Sequence, residues 1–198
     1  MPVESITSSA GSSSSGTLVG RLKKNDQVAW QRFSDLHGPL VYGWARSAGL
    51  QDSDAADVTQ EVFRVVAERI PAYQKTTLDA SFRGWLWGIT RNKVLLELRR
   101  RAKKPGLIDD AAIGPLADDR PSVKAVDDDA ELAAMARRAI ALLRSDFQPA
   151  TWRAFEQLVL SGRTAAEVAA DLGVSVGSVY TAKCRVIARL REELEDAL

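Results

Sequence analysis

The chain has 198 residues, of which 45% are hydrophobic and 27% are charged, and its formal net charge is +1. This length allows one or two domains, and the composition is that of a soluble globular protein. No apolar run reaches the roughly 18 residues that cross a bilayer, and a single cysteine with a single histidine excludes an internal disulfide and a Cys/His zinc site. We therefore expect a cytoplasmic protein without membrane insertion, metal or cofactor.

The charge is unevenly distributed along the chain. Residues 21–104 contain 16 basic and 9 acidic side chains, whereas residues 105–136 contain 2 basic and 8 acidic ones. Residues 137–198 are nearly balanced, with 9 basic and 8 acidic side chains. A basic stretch followed by an acidic one indicates a polyanion-binding segment beside a segment that avoids or imitates polyanions.

The first seventeen residues differ in composition from the segment that follows them. Residues 1–17 are mostly Ser, Gly, Ala and Thr, which bury too little apolar surface to offset their ordering entropy. We predict that they are disordered and that a first domain spans residues 18–104. Its first helix ends at Gly49. The apolar face of that helix consists of Trp30, Phe33, Leu36, Leu40, Val41 and Trp44.

Two further helices are predicted in the first domain. One covers about residues 54–69, with capping acceptors at its start and Pro71 as its stop. The acceptors are Asp52, Ser53 and Asp54, and the buried face is Ala55, Val58, Val62, Val65 and Val66. A polar loop over residues 72–79 is followed by a long helix over about residues 80–103, which Pro105 ends.

The acidic segment separates this domain from a second one. Residues 105–129 carry prolines, glycines and aspartate pairs without a helical period, which predicts a flexible acidic linker. A second domain is predicted over residues 130–198. Its first two helices are marked by Leu132, Met135, Ala139 and Leu143, and by Trp152, Phe155 and Val159. Because no useful strand-like alternation occurs, the predicted fold class is all-α, with two helical domains joined by the linker.

Residues 164–180 have the pattern of a helix-turn-helix. Ala169 is small where two helices cross closely, and Gly173 stands at the turn, where a positive φ is needed. The residues predicted to face inward are Val168, Leu172, Val174 and Val179. Ser175 can cap a second helix, whose first turns enter the major groove in this motif. The outward candidates for DNA contact are Ser175, Gly177, Ser178, Thr181, Lys183 and Arg185; a hairpin that only packs is the alternative.

Two segments of the first domain combine surface charge with aromatic residues. A polar stripe at spacings of three and four comprises Asp57, Gln60, Glu61, Arg64 and Glu68. Residues 82–93 and 99–104 then interleave aromatic and basic side chains on one helix, which suits both packing and nucleic-acid contact. Within this helix, we expect Trp85, Leu86 and Ile89 to belong to the core.

These segments, in this order, resemble the extracytoplasmic-function (ECF) type of sigma factor in the sigma-70 family of bacterial RNA polymerase. The resemblance rests on DAADVTQEVF at residues 54–63, FRGWLWGITRNKVLLELRR at residues 82–100 and the helix-turn-helix. It implies a region 2 domain over residues 18–104 and a region 4 domain over residues 130–198. It further implies a non-catalytic protein that binds core polymerase and directs promoter recognition, DNA melting and transcription initiation.

The resemblance also assigns roles to individual residues. Polymerase binding falls to Asp54, Asp57, Gln60, Glu61 and Arg64. Binding of the −10 element falls to Tyr73, Gln74, Lys75, Arg83, Trp87, Arg91, Asn92, Lys93, Arg99, Arg100 and Arg101, the first three in a loop that would hold a flipped base. Binding of the −35 element falls to the outward residues of the helix-turn-helix, although Tyr180 and Ala182 stand where the family often has Lys and Arg. The implied partners are core RNA polymerase and double-stranded and melted promoter DNA, with an anti-sigma factor left open.

Two other functions remain as alternatives. A stand-alone helix-turn-helix regulator explains the second domain but leaves residues 54–104 without a role, and it would bind DNA as a dimer without polymerase. A metal-dependent nuclease could use Asp52, Asp54 and Asp57, but the sequence offers no further paired carboxylate or histidine to complete such a site.

Overall fold

A computed structural model of the chain describes residues 16–75, 81–102 and 128–194. Over these ranges the secondary structure is helical, without a strand. Residues 1–15 of the segment predicted to be disordered (1–17), the predicted loop from residue 76 and residues 105–127 of the predicted linker lie outside the described residues. The described ends of two of these segments differ from the prediction, because Thr17 caps the helix that begins at Leu18 and a helix begins at Asp128. No helix in the described ranges is long and apolar enough to cross a membrane.

The first domain contains four helices in the described residues: α1 (Leu18–Lys23), α2 (Gln27–Ser47), α3 (Asp52–Arg69) and α4 (Phe82–Ala102), with a 3-10 turn at Ile70–Ala72 after α3. The Asp26 carboxylate caps α2 by accepting hydrogen bonds from the amides of Val28 and Ala29 at 2.9 and 3.2 Å. Gly49 follows α2 with a φ of +88°, a conformation that glycine adopts without steric cost.

The start of α3 differs from the sequence prediction. The helix begins two residues earlier than expected, at Asp52, and its N-cap is Gln51, whose side chain makes no capping hydrogen bond. Asp52 and Asp54 therefore lie inside the first turn. There they still stabilise the helix, because negative charge interacts favourably with the positive end of the helix dipole.

The core of the first domain follows the predicted apolar faces. All five predicted residues of α3 are buried, and from α4 Leu86 and Ile89 are buried while Trp85 is half-buried. Phe33 of α2 and Phe82 of α4 are among the largest fully buried side chains. Each such side chain contributes roughly 1.5–3 kcal/mol through burial. The helical periodicity of the sequence thus predicted this core correctly.

The second domain contains α5 (Asp128–Leu143), α6 (Pro149–Phe155), α7 (Ala165–Leu172) and α8 (Val176–Leu194). Met135, Ala139 and Leu143 are buried as predicted, but Leu132 is 37% exposed. Val159 is 41% exposed, which also contradicts the prediction. The cause is a π-helical segment, Glu156–Leu160, which follows α6 and contains Val159. Its wider turn rotates side chains out of the α-helical register.

The helix-turn-helix forms where it was predicted. Thr164 and Glu167 make a capping box at the start of α7, and Gly173 ends the helix in the left-handed conformation, with a φ of +65°. Val168 and Val179 are fully buried and Leu172 is half-buried. Val174 is 40% exposed and does not face inward, because it lies in the turn itself, between the two helices that form the motif's core.

The two domains share a buried interface. Met135 and Ala139 of α5 belong to the same apolar cluster as the side chains of α1–α4, and Leu142, Leu190 and Leu194 pack against that cluster. Helix α5 lies against α2, and the C-terminal part of α8 lies against α1. The second domain is therefore packed onto the first.

Candidate nucleic-acid interface

The N-terminal turns of α8 form one wall of an open groove. The Ser175 hydroxyl accepts a hydrogen bond from the Ser178 amide at 3.1 Å, so it caps the helix as predicted. Gly177, Thr181 and Arg185 are exposed on the same wall. Lys183, in contrast, is half-buried and does not line the groove.

The opposite wall is the start of α6, which sequence reasoning missed. The groove has a volume of about 840 Å³, and Gln148, Thr151 and Arg153 line it together with the predicted α8 residues. Pro149 marks the first turn of α6 in the sequence. No local signal places that turn beside α8, because the contact between α6 and α8 is a tertiary one.

The groove is polar but carries few charges. Its charged side chains are Arg153 and Arg185, and the remaining polar groups are mostly hydroxyls. Ala182, where the resemblance led us to expect a basic residue, is almost fully buried and packs in the cluster that contains Val168 and Ala169 of α7. Tyr180 is exposed. The surface can hydrogen-bond phosphates and base edges, with two arginines for phosphate or guanine.

The −10 residues assigned to the first half of α4 lie around an aromatic pair. Trp87 packs edge-on against Trp44, with ring centroids 5.1 Å apart, and the guanidinium of Arg83 lies 5.8 Å from the Trp44 ring. Arg83 also forms an ion pair with Glu131 of α5. Arg91 is half-buried, and its Nε has no hydrogen-bond partner within the described ranges. Trp87 is thus partly a packing residue.

The residues assigned to the flipped-base loop begin in an aromatic cluster. The Tyr73 ring lies 4.8 Å from Trp85 and 5.5 Å from Phe82, and the Tyr73 carbonyl accepts a hydrogen bond from Lys23 at 2.5 Å. These contacts hold the start of the loop against α4. Gln74 and Lys75 are exposed.

The residues assigned to polymerase binding lie on the outer face of α3. Asp57, Gln60, Glu61 and Arg64 are exposed, and Asp54 is half-buried. Hydrogen bonds from Arg64 at 2.9 Å and from Lys93 at 3.1 Å lower the pKa of Glu61 to about 2. The Glu61 carboxylate therefore stays ionised and anionic under all ordinary conditions.

The structure joins two residue groups that the sequence assigned to different partners. Lys93 of α4, assigned to −10 DNA, contacts Glu61 of α3, and Arg101 of α4 forms an ion pair with Asp54 of α3. Asn92, Arg99 and Arg100 are exposed, and Arg100 pairs with Glu97 at 3.1 Å. The acidic face of α3 and the basic end of α4 form one continuous charged surface.

The three aspartates of the nuclease alternative do not converge on one point. Asp52 accepts a hydrogen bond from the Tyr42 hydroxyl at 3.1 Å and pairs with Arg46 at 2.9 Å, whereas Asp54 pairs with Arg101. Across the described residues, no group of three or more potential ligands could hold a metal ion. The geometry gives no support to metal-assisted hydrolysis there.

Known proteins are similar to this chain in amino-acid sequence. Residues 33–104 match the family model of sigma-70 region 2. The chain is 32% identical over 179 residues to the ECF RNA polymerase sigma factor SigE of Mycolicibacterium smegmatis, covering 87% of this chain and 64% of that protein. It is also 32% identical over 83 residues to the RNA polymerase sigma factor NccH of Alcaligenes xylosoxydans xylosoxydans, covering 42% of each. The chain thus spans less than two thirds of these relatives' lengths.

Two solved structures are similar to the chain at low identity. One is CnrH in complex with the cytosolic domain of CnrY, with 24% identity, a TM-score of 0.37, and coverage of 91% of this chain and 96% of that one. The other is the RsbN–BldN complex, with 22% identity, a TM-score of 0.35, and coverage of 87% and 96%.

Proposed function

We propose that this chain, whose residues 33–104 match sigma-70 region 2 and whose relatives include an ECF-type sigma factor, is itself a sigma factor of this family. In this proposal it binds core RNA polymerase and directs promoter recognition, DNA melting and transcription initiation. The observation that carries this proposal is the combination, in one chain, of a region 2 match over residues 33–104 and a helix-turn-helix over residues 164–194. The protein acts as an adaptor without catalysis, in the cytoplasm, where transcription takes place.

Polymerase docks on the outer face of α3 in this proposal. The supporting feature is an exposed row of polar and charged side chains, with Glu61 held anionic by its neighbours. Exposed ion pairs contribute little to folding, about 0–1 kcal/mol each. These side chains can therefore exchange their ion pairs for contacts with a partner while the stability of the fold changes little.

The −10 element binds along α4. Trp87 and the exposed basic residues near the end of the helix supply a stacking surface and phosphate contacts for the melted strand. An unstacked base captured on an aromatic ring is worth roughly 1–3 kcal/mol, which would favour the open over the paired promoter.

The −35 element binds in the groove between α6 and α8. Arg185 approaches from the recognition helix, while Thr151 and Arg153 approach from α6. These groups contact the backbone and base edges from both sides of the groove. Each domain would bind DNA weakly alone and strongly when the two are linked on one polymerase. An anti-sigma factor remains a proposed further partner.

The deciding experiment is in vitro transcription with purified core polymerase on the source organism's DNA, with and without this protein. Specific transcripts that depend on the protein would establish the proposed function, and their start sites would identify both promoter elements. Failure to bind core polymerase, combined with sequence-specific binding of a palindromic duplex by the free protein, would instead establish the stand-alone regulator.

A further inference from the structure

We propose that a buried ion cluster between the two domains holds the free protein in a closed form, which must open before the protein can span a promoter. This inference rests on the proposed function for its consequence, though not for its geometry. The interdomain ion cluster consists of Arg21, Asp26, Arg32, Asp146, Arg189 and Glu193.

Glu193, near the C-terminal end of α8, is the centre of the cluster. Its carboxylate accepts hydrogen bonds from Arg189 on its own helix at 2.5 Å, from Arg32 of α2 at 2.9 Å and from Arg21 of α1 at 3.2 Å. The side chains of Glu193 and Arg21 are only 4% and 5% exposed. One carboxylate of the second domain thus joins two arginines of the first.

Two further carboxylates complete the cluster. Asp146, in the turn after α5, pairs with Arg32 of the first domain and lies 3.6 Å from Arg189. Asp26 pairs with Arg21 at 3.1 Å. The cluster therefore balances three guanidiniums with three carboxylates only while the domains are in contact. Separating them leaves Arg32 without both of these carboxylate partners.

The interface around the cluster is closely packed. Ala139, Leu142 and Leu143 of the second domain face Arg32 and Leu36 of the first across a cavity of only about 10 Å³. That is at most the room of one water molecule. The contact therefore leaves little room for water beside Arg32 and Glu193, whose side chains are 12% and 4% exposed.

The closed form is too short to reach both promoter elements. The reading end of α8 lies 19 residues from the end that touches α1, which is roughly 28 Å. The first domain, at its size, is roughly 30 Å across. The names of the −35 and −10 elements give their positions on the promoter, which are about 25 base pairs apart; at 3.4 Å per base pair this separation is roughly 85 Å. Both domains can therefore bind one promoter only after they separate.

The closed form also occupies a residue assigned to DNA. Glu131 of α5 pairs with Arg83 of α4. A phosphate of the −10 element would have to displace this carboxylate in order to bind Arg83. The interface combines apolar packing by side chains such as Met135 and Ala139 with this ion cluster. The buried charges assist opening, because they regain their hydration when the domains separate.

The test compares two identical substitutions at adjacent positions in the full-length free protein. Glu193→Gln removes the central carboxylate charge, whereas Glu192→Gln changes an exposed neighbour whose partner is Arg189 of the same helix. We expect small-angle X-ray scattering to show a radius of gyration about one third larger for Glu193→Gln, because two domains of roughly 12 Å move apart. Glu192→Gln should keep the wild-type radius.

Core polymerase affinity supplies the second readout. If nine tenths of the free protein is closed, Glu193→Gln should bind core polymerase up to about tenfold more tightly. Asp146→Asn, which removes a charge from the other side of the cluster, should change both readouts in the same direction. Circular dichroism verifies that each variant keeps its helical content.

The outcomes separate the two proposals. If Glu193→Gln and Asp146→Asn stay as compact as the wild type, or if Glu192→Gln expands as much, the ion cluster does not hold the domains and the inference fails. Expansion without any gain in polymerase affinity would overturn the inhibitory role. Absence of polymerase binding by the wild type and by the expanded variants would defeat the proposed function, while the scattering alone still decides whether the cluster closes the molecule.

Discussion

Charged side chains pair in two regions of this molecule, and the environments of the two regions differ. In the interdomain ion cluster, Glu193 and Arg21 are almost completely buried. On the α3–α4 surface, Glu61 and Arg64 are half exposed or more. Distances are similar, 2.9 Å for Arg32–Glu193 and for Arg64–Glu61. Distance alone therefore says little about energy: burial decides whether an ion pair determines structure or remains available to a partner.

The largest effect should come from removing charge at the buried region. We expect Glu193→Ala to destabilise the closed form by about 3–5 kcal/mol, because it leaves three largely buried arginines without their shared carboxylate. Glu68→Ala, which removes an exposed partner of Arg64, should change stability by no more than about 0.5 kcal/mol. Chemical denaturation of both variants measures the contrast, and equal losses would show that burial does not distinguish the two regions.

A second consequence of burial concerns His37, which lies between the rings of Phe33 and Phe82. Burial lowers the pKa of His37 to about 4, from an ordinary value of 6.5. The unfolded chain therefore takes up a proton between these values that the folded chain does not. Stability should be fully present above pH 6.5 and fall by roughly 3 kcal/mol as the pH drops toward 4.

The variant His37→Leu tests this pH dependence. It should be less sensitive to pH between 6.5 and 4 than the wild type, as measured by denaturant unfolding at several pH values. Acid sensitivity of the same size in both proteins would mean that His37 is not the group responsible.

An intermediate effect is expected at the −35 groove. Arg153→Ala and Arg185→Ala should each weaken binding of −35 duplex by the polymerase complex by about tenfold, because each removes a cation from the groove wall. Arg163→Ala is the matched control, since Arg163 pairs with Asp171 and does not line the groove. An equal loss for Arg163→Ala would indicate a general charge effect.

Substitutions on the outer face of α3 should have a smaller effect on stability and a specific effect on core polymerase binding. Asp57→Ala combined with Glu61→Ala should lower core polymerase affinity while the thermal unfolding midpoint changes little, because both side chains are exposed. Asp35→Ala, an exposed carboxylate change on α2, serves as the control for net charge. Unchanged polymerase affinity in the double variant would refute the docking assignment.

The smallest effect is expected on the salt dependence of promoter binding. Arg99→Ala with Arg100→Ala should reduce the dependence of promoter binding on salt by about two counterions, since each exposed arginine is proposed to neutralise one phosphate. The measurement is promoter affinity of the polymerase complex at several salt concentrations. A slope equal to that of the wild type would place these arginines away from the DNA backbone.

The errors of the sequence analysis have local causes that are visible in the structure. Val159 was predicted to be buried from α-helical spacing, but it lies in the π-helical segment Glu156–Leu160, which shifts the register. Val174 was predicted to face inward but lies in the turn. Asp52 was predicted to lie in a capping position but is inside the helix. The start of α3 differs from the prediction by two positions, which is within the accuracy of helix boundaries.

The amino-acid sequence by itself predicted α2–α8, most of their buried faces, the turn at Gly173 and the resemblance to ECF-type sigma factors, because periodicity, capping residues and motifs are properties of neighbouring positions. It did not predict α1. The groove wall formed by Thr151 and Arg153, the ion pairs between α3 and α4 and the interdomain ion cluster emerged only from the tertiary structure. Arg21 and Glu193 are 172 residues apart. Nothing in the local pattern of either residue specifies that contact, since it arises from the way whole helices pack.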